Sequence, residues 1–417
     1  MKNVYDIRKE EQLQFVLSTE HSLTVPSHKK LQSAAVVVNL FYTEKVKYYC
    51  QYLDRLPEDI VLYIFSSKEE TLLEAKKYLN NKNKNIMYLN KENRGRDVSA
   101  LLVAFQPYLD KYKTICFIHD KKEHGPRDKT DVDKWNENLW GNMIASSHYV
   151  YNVLNIFETC PELGILFPPE PIGENKMEWF HYSWDENYNN CRKLADKMYL
   201  TADIRKEKPP IALGSVFWAR KEVLIKLFNI GWKYEDFSPE PMPLDSTISH
   251  AVERIFSYIA QDAGYEAGTV MTEKYAAWQL LFLQDNVRMM FSELSERMGV
   301  DNINQIRMLH IQTKAILNYA KAHHIFFLYG AGKCGRAVLK LLRENKIEPN
   351  GFVVTDDTNC KDSIEGIKIY SLDDIKTKKC GIILTTYYPL QEEMMGTLEN
   401  YGMDDFFLVF DKKCSKC

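Results

Sequence analysis

The sequence predicts an α/β protein: a large sheet, mixed but mainly parallel, then a helical connector, then a small doubly wound domain. Three observations carry this. Short apolar runs rich in Val and Ile alternate with helical patterns from Ala34 to Ile118, the arrangement of a parallel sheet covered by helices on both faces. Two of these runs end in charge, at Asn93-Arg94-Gly95-Arg96-Asp97 and at His119-Asp120-Lys121-Lys122. A new strand, glycine-rich turn and helix begin at Ile325.

The chain has 417 residues, too many for one core. We expect a polar leader at 1–30, a sheet domain at 31–285, a connector at 286–322 and a doubly wound domain at 323–413. The net charge of -3 does not favour nucleic-acid binding. The leader lacks a signal-peptide core, and no stretch approaches the ~18 apolar residues of a spanning helix. A cytoplasmic protein, peripheral at most to the inner face of a membrane, is the expectation. The nine cysteines are scattered and odd in number, so buried thiols are expected rather than disulfides. Cys414 and Cys417 form a lone C-x-x-C, read as tail rather than zinc site.

In order, Ala34 to Leu40 reads as a buried strand, Lys45 to Leu56 as a helix closed by Pro57, and Ile60 to Phe65 as a strand. Glu69 to Leu79 is a helix, Ile86 to Leu89 a strand, Val98 to Tyr108 a helix and Ile115 to Ile118 a strand. Helical patches follow at Trp135 to Tyr149 and Val150 to Thr159, then a strand at Leu163 to Phe167. The loop from Trp179 to Asn190 is dense in aromatic residues and Asn, the composition of a sugar-acceptor surface. Ile211 to Ala219 reads as a strand, Lys221 to Asn229 and Ser246 to Asp262 as helices, and 273–323 as a helix-rich stretch broken near Gly299.

Ligands in such sheets sit beyond the carboxyl ends of the strands. Arg94 and Arg96 flank Gly95, whose missing side chain lets backbone approach a ligand. Asn93 belongs to the same loop, and Asp97 is placed to cap the following helix. In His119-Asp120-Lys121-Lys122 a single carboxylate stands where sugar-nucleotide transferases of the GT-A fold carry an Asp-x-Asp metal motif. Asp120 is thus a candidate divalent-cation ligand, while Lys121 and Lys122 offer a metal-free way to neutralise a diphosphate. Gly214 and Ser215 open a strand with room for a sugar ring, on which Trp218 is placed to pack. Asp245 is the expected N-cap of the next helix, and His250, Glu253 and Arg254 share one face of it. Asp245 or Glu253 is the candidate base, with His250 orienting it.

The ordered series Val36-Val37-Val38-Asn39-Leu40-Phe41-Tyr42, Asn93-Arg94-Gly95-Arg96-Asp97, Ile118-His119-Asp120-Lys121-Lys122, Gly164-Ile165-Leu166-Phe167-Pro168, Gly214 to Arg220 and His250 to Arg254 resembles the rhamnan synthesis protein F family over about residues 30 to 270. The resemblance implies a bacterial glycosyltransferase that moves a deoxysugar such as L-rhamnose from a nucleoside-diphosphate donor to a growing surface polysaccharide, with inversion. It implies a lipid-linked glycan acceptor as partner. The family places a small residue where this chain has Asp120, which shifts weight to His119, Lys121 and Lys122. A homo-oligomer is a further expectation.

In the last domain Gly330-x-Gly332-x-x-Gly335 follows a strand and opens a helix, with Asp356 about twenty residues on. This fits a Rossmann-like nucleotide-binding turn. Two rival readings follow: a nucleotide-sugar oxidoreductase or epimerase run by this domain, and a non-catalytic glycan-assembly protein.

Overall fold

Eight strands build the first sheet: β1 (Leu13–Leu17), β2 (Ala34–Asn39), β3 (Val61–Ser66), β4 (Ile86–Asn90), β5 (Thr114–His119), β6 (Leu163–Phe167), β7 (Phe217–Arg220) and β8 (Glu266–Thr272). The computed structural model describes residues 13–22, 24–79, 85–121, 129–169, 184–207, 214–243, 245–298, 303–355, 362–386 and 390–410. The chain divides into two compact units, Met1–Phe282 and Leu283–Cys417.

In the first unit the strand order is β1-β8-β6-β7-β5-β2-β3-β4. All pairings are parallel except those of β7, which runs against both β5 and β6. β2 lies near the centre and is buried along its whole length, which explains its unbroken apolar reading. Its alternate residues feed two cores. Ala35 and Val37 pack with Phe117, Phe217 and Ile255 on one side; Val36 and Val38 pack with Tyr49, Trp140 and Trp218 on the other. Each Val, Ile or Phe so buried contributes about 1.5–3 kcal/mol.

Helices used below are α1 (Val46–Leu53), α2 (Arg96–Ser99), α3 (Ile248–Asp262), α4 (Glu273–Met298), α5 (Ile303–Ala322) and α6 (Lys333–Glu344). The helix expected over Val98 to Tyr108 is broken into α2, a wide turn at Ala100–Ala104 and a tight one at Gln106–Lys111, where Pro107 cannot continue a regular helix. In the first unit two strands were not anticipated. β1 arises within the leader and pairs with β8 at the sheet edge. β8 is made largely of Ala, Gly and Thr and takes its burial from β1 and β6.

The second unit carries β9 (Phe326–Tyr329), β10 (Gly351–Val354), β11 (Ser363–Ile364), β12 (Ile367–Ser371), β13 (Gly381–Leu384) and β14 (Phe406–Leu408). Their order is β11-β12-β10-β9-β13-β14, parallel except for the β11–β12 hairpin. Successive crossovers run outward in opposite directions from β9, the switch point of a doubly wound sheet. Among the described residues no helix is long and apolar enough to cross a membrane.

Candidate functional site

The carboxyl ends of β2 and β5 lie side by side, with Asn39 opposite His119. The backbone after β5 is held from two helices. The Tyr49 hydroxyl of α1 donates to the Lys121 carbonyl at 3.0 Å and accepts from its N–H at 3.1 Å. From helix Lys129–Met143, Asn136 Nδ2 donates to the Lys121 carbonyl and Trp140 Nε1 to that of His119. Lys121 Nζ then lies 3.9 Å above the Trp135 ring.

Asp120 turns back into the protein. Its Oδ2 accepts from the N–H groups of Phe41 and Tyr42, both at 2.8 Å, and so folds the loop after β2. Burial pushes its pKa up to about 7, although those hydrogen bonds pull the other way. One oxygen of this candidate cation ligand is thus committed to backbone N–H groups, and Lys121 follows it in the chain. Among the described residues no three His, Cys, Asp or Glu side chains gather as a ready-made metal site.

Asp97 lies in the first turn of α2 rather than at its cap. Gly95 is the residue preceding α2, and the Asp97 carboxylate Oδ2 stands 3.6 Å from His119 Nε2. Burial alone would raise the Asp97 pKa; His119, Lys121 and a hydrogen bond from the Ser215 hydroxyl overcome it and hold the carboxyl below its ordinary value. His119 donates from Nδ1 to the Asp120 carbonyl at 3.0 Å, and burial holds its pKa below the ordinary imidazole value. The neutral ring thus presents a bare Nε2 to the carboxylate.

Gly95 serves packing rather than ligand approach. Its φ is +71°, and a Cβ there would stand 2.6 Å from the Phe237 ring. Arg94 clamps the same segment by donating to the carbonyls of Phe237 and Glu235. Arg96 is more exposed, with Nε 4.0 Å from Glu240 Oε1. Asn93 is exposed and accepts from the Ser67 hydroxyl. Lys91, which the sequence reading passed over, is a half-buried cation whose pKa desolvation pushes down to about 8; its Nζ donates to Ser99 Oγ at 3.0 Å.

At Gly214 three parts of the chain converge. Its φ is +81°, and a Cβ would lie 3.3 Å from Lys121 Nζ and 4.0 Å from Glu253 Oε1. Ser215 beside it is buried. Trp218 is corrected: it is fully buried in the core and donates from Nε1 to the Met143 carbonyl, so it has no face to offer a sugar. Lys122 lies outside the described residues.

α3 begins after Thr247, which replaces Asp245 as N-cap. The Thr247 hydroxyl and His250 Nδ1 are 2.7 Å apart, and the Thr247 N–H donates to the same nitrogen at 3.4 Å. Neutral His250 therefore keeps its proton on Nε2; burial holds its pKa below the ordinary value. Asp245 accepts from Asn187 Nδ2 at 2.6 Å and from the Glu186 N–H, with His250 Nδ1 3.9 Å away. Arg254 donates to the His250 carbonyl and lies 3.5 Å from Glu253 Oε2. The shared face of His250, Glu253 and Arg254 is realised.

The described part of the Trp179 to Asn190 loop is not an open acceptor surface. Trp184 is buried and stacks on Tyr258, and Asn187 is buried beneath Asp245. Residues 179–183 lie outside the described residues. Asn39 was missed as a site residue. Its Oδ1 is buried at the end of β2 with no hydrogen-bond partner among the described residues. An Asn closing an otherwise apolar strand is the signal that marks it.

In the second unit Gly330 has φ +111°, and a Cβ on Gly335 would lie 1.9 Å from the Gly330 carbonyl oxygen. Thr385 at the end of β13 donates to the carbonyls of Tyr329 and Gly330. Gly332 precedes α6, and a Cβ there would meet nothing within 4 Å. Asp356 lies outside the described residues, as do Cys414 and Cys417.

Fold and site together define a mainly parallel α/β protein whose first unit brings Lys121 and Glu253 to Gly214 and sets His119 against Asp97. The sequence model of the rhamnan synthesis protein F family matches residues 1–265. The chain belongs to that family. A stretch of 192 residues is 27% identical to the uncharacterized protein WxcX of Xanthomonas campestris pv. campestris, covering 43% of this chain and 24% of that protein. Another of 108 residues is 27% identical to the small ribosomal subunit biogenesis GTPase RsgA of Caldanaerobacter subterraneus subsp. tengcongensis, covering 26% of this chain and 35% of that protein. The chain thus spans about a quarter to a third of these curated relatives.

Proposed function

We propose that the first unit is a GT-A-like glycosyltransferase that moves a deoxysugar, L-rhamnose or a relative, from a nucleoside diphosphate to a lipid-linked glycan on the cytoplasmic face of a membrane. Family membership supports the polysaccharide setting, and the chemistry comes from the crevice. The observation that carries it is the convergence of Lys121 Nζ and Glu253 Oε1 on Gly214, where a side chain would enter their space. A departing diphosphate needs a cation, and an attacking hydroxyl needs a base.

In this reading Glu253 takes the proton of the acceptor hydroxyl, whose oxygen attacks the anomeric carbon as the bond to the diphosphate breaks. Lys121 and Arg96 offset the charge that grows on the leaving group, with Lys122 as a further cation from the sequence. Inversion follows from a single displacement. Asp245, already bonded to Asn187 and the Glu186 N–H, is better suited to fixing the approach to α3 than to taking a proton. Asp97, His119 and Asn39 supply acceptors for the donor's hydroxyls.

The test is release of nucleoside diphosphate from a panel of sugar nucleotides, with a glycan acceptor present. Turnover by the wild type and its loss in folded Glu253→Gln and Lys121→Ala support the reading. Unchanged turnover in both variants sinks it. A second, separate proposal concerns the other unit. The close fit of Gly335 against Gly330 supports a nucleotide-binding turn there, with Gly332 nearest the phosphates and Asp356 suited to a ribose hydroxyl.

A further inference from the structure

Helix α4 exposes more large apolar side chains than a stable surface helix can leave in water. Leu280, Leu283, Val287, Met290 and Leu294 recur at steps of three and four residues along it. That is a 3.5-residue repeat, the a and d pattern by which two helices wind on each other. Leu280, Val287, Met290 and Leu294 are 57%, 54%, 62% and 38% exposed, whereas a helix of this kind draws most of its stability from covering such a stripe. Off the stripe, the Trp278 ring packs against Tyr275 and Phe282, while Leu281 and Met289 are also exposed.

We propose that this stripe is the contact between two copies of the chain. Three features favour a second copy over other covers. The a and d repeat is self-complementary, so one stripe matches its own image. The positions flanking it are Gln279, Gln284, Asn286, Phe291 and Glu293, which hold a single charge, so two copies approach without a row of like charges meeting. The stripe runs from Leu280 to Leu294 with an apolar residue at every a and d position, so two copies can meet along its whole length. A bilayer surface fits less well, because interfacial helices carry a basic polar face. Here Asp285, Glu293 and Glu296 outnumber Arg288 and Arg297.

Analytical ultracentrifugation of the full chain at micromolar concentration tests this. The wild type should sediment as a dimer that dissociates on dilution. Val287→Glu and Met290→Glu, on exposed positions, should each raise the dissociation constant by on the order of 100-fold, because each copy would bury an unpaired carboxylate. Leu281→Gln, off the stripe, should leave the dimer intact. Circular dichroism checks that helix content is retained, and Val287→Gln provides a neutral variant if a charged one misfolds. A monomeric wild type, or a dimer indifferent to Val287→Glu, Val287→Gln and Met290→Glu, overturns the proposal. A monomer that floats with phosphatidylcholine–phosphatidylglycerol vesicles assigns the stripe to a bilayer instead and overturns it equally.

Discussion

His119 Nε2 faces Asp97 Oδ2 across 3.6 Å, two acceptors with no proton of their own to share, because the ring's proton is committed through Nδ1 to the Asp120 carbonyl. A ligand hydroxyl placed there would donate to both. Asp97→Asn would fill the gap internally, its amide donating to Nε2. We predict that this variant folds, loses at neutral pH the stability that the ionised carboxylate supplies, and turns over a sugar nucleotide about 10²-fold more slowly, the scale of one lost preorganised polar contact. Equal turnover would separate the pair from the chemistry.

Asp120 makes the fold sensitive to pH in an unusual direction. Its folded pKa of about 7 lies above the ordinary value of 3.8. Between these values the folded state holds a proton that the unfolded chain has released, so stability is fullest in acid and falls as pH rises. The loss amounts to up to ~4 kcal/mol and is complete above about pH 7. Asp97 and Asp245, with lowered pKa values, act in the opposite sense. The comparison is therefore with Asp120→Asn, which keeps an acceptor for Phe41 and Tyr42. Urea midpoints from pH 4 to 8 should show the wild type losing stability relative to this variant as pH rises; parallel profiles would refute the assignment.

Residues that are buried on both faces of a sheet were legible in the sequence, and residues whose burial comes from neighbours were not. Val36, Val37 and Val38 declare β2 by composition alone. Gly268 and Thr269 in β8 declare nothing, since their cover is supplied by β1 and by Leu166 of β6. The site followed the same division. The charged runs after β4 and β5 drew attention to these strand ends, because apolar strands seldom end that way by accident. The direction of each carboxylate stayed hidden, since spacing along the chain does not say that Asp120 turns inward while Asp97 turns toward Ser215. Trp218 was misread because an aromatic on a four-residue strand reads alike whether its face is packed in a core, as here, or open to a ligand.

Gly95 and Gly231 form a matched pair for separating strain from packing. Both have positive φ, +71° and +69°, but only Gly95 is pressed by another residue, with Phe237 2.6 Å from a built Cβ. Gly231→Ala should cost about 1–2 kcal/mol, the left-handed penalty alone. Gly95→Ala should cost about 1–3 kcal/mol more, since the Phe237 ring must move. Urea denaturation of the two variants measures the difference, and equal costs would mean the ring yields freely.

Gly332 and Gly335 allow the second unit's two glycine roles to be told apart. A Cβ on Gly335 would sit 1.9 Å from the Gly330 carbonyl oxygen, backbone that cannot move without opening the turn after β9. Gly335→Ala should therefore destabilise this unit by about 3 kcal/mol or more, the range of a disrupted tight contact. At Gly332 φ is −77° and a built Cβ touches nothing within 4 Å, so Gly332→Ala should fold as the wild type does. If a phosphate lies against that backbone, the added methyl must compete with it directly, and calorimetric titration with NAD or ADP should show binding weakened tenfold or more. Binding unaffected by Gly332→Ala would leave the glycine without a ligand to make room for and reduce the turn to a packing device.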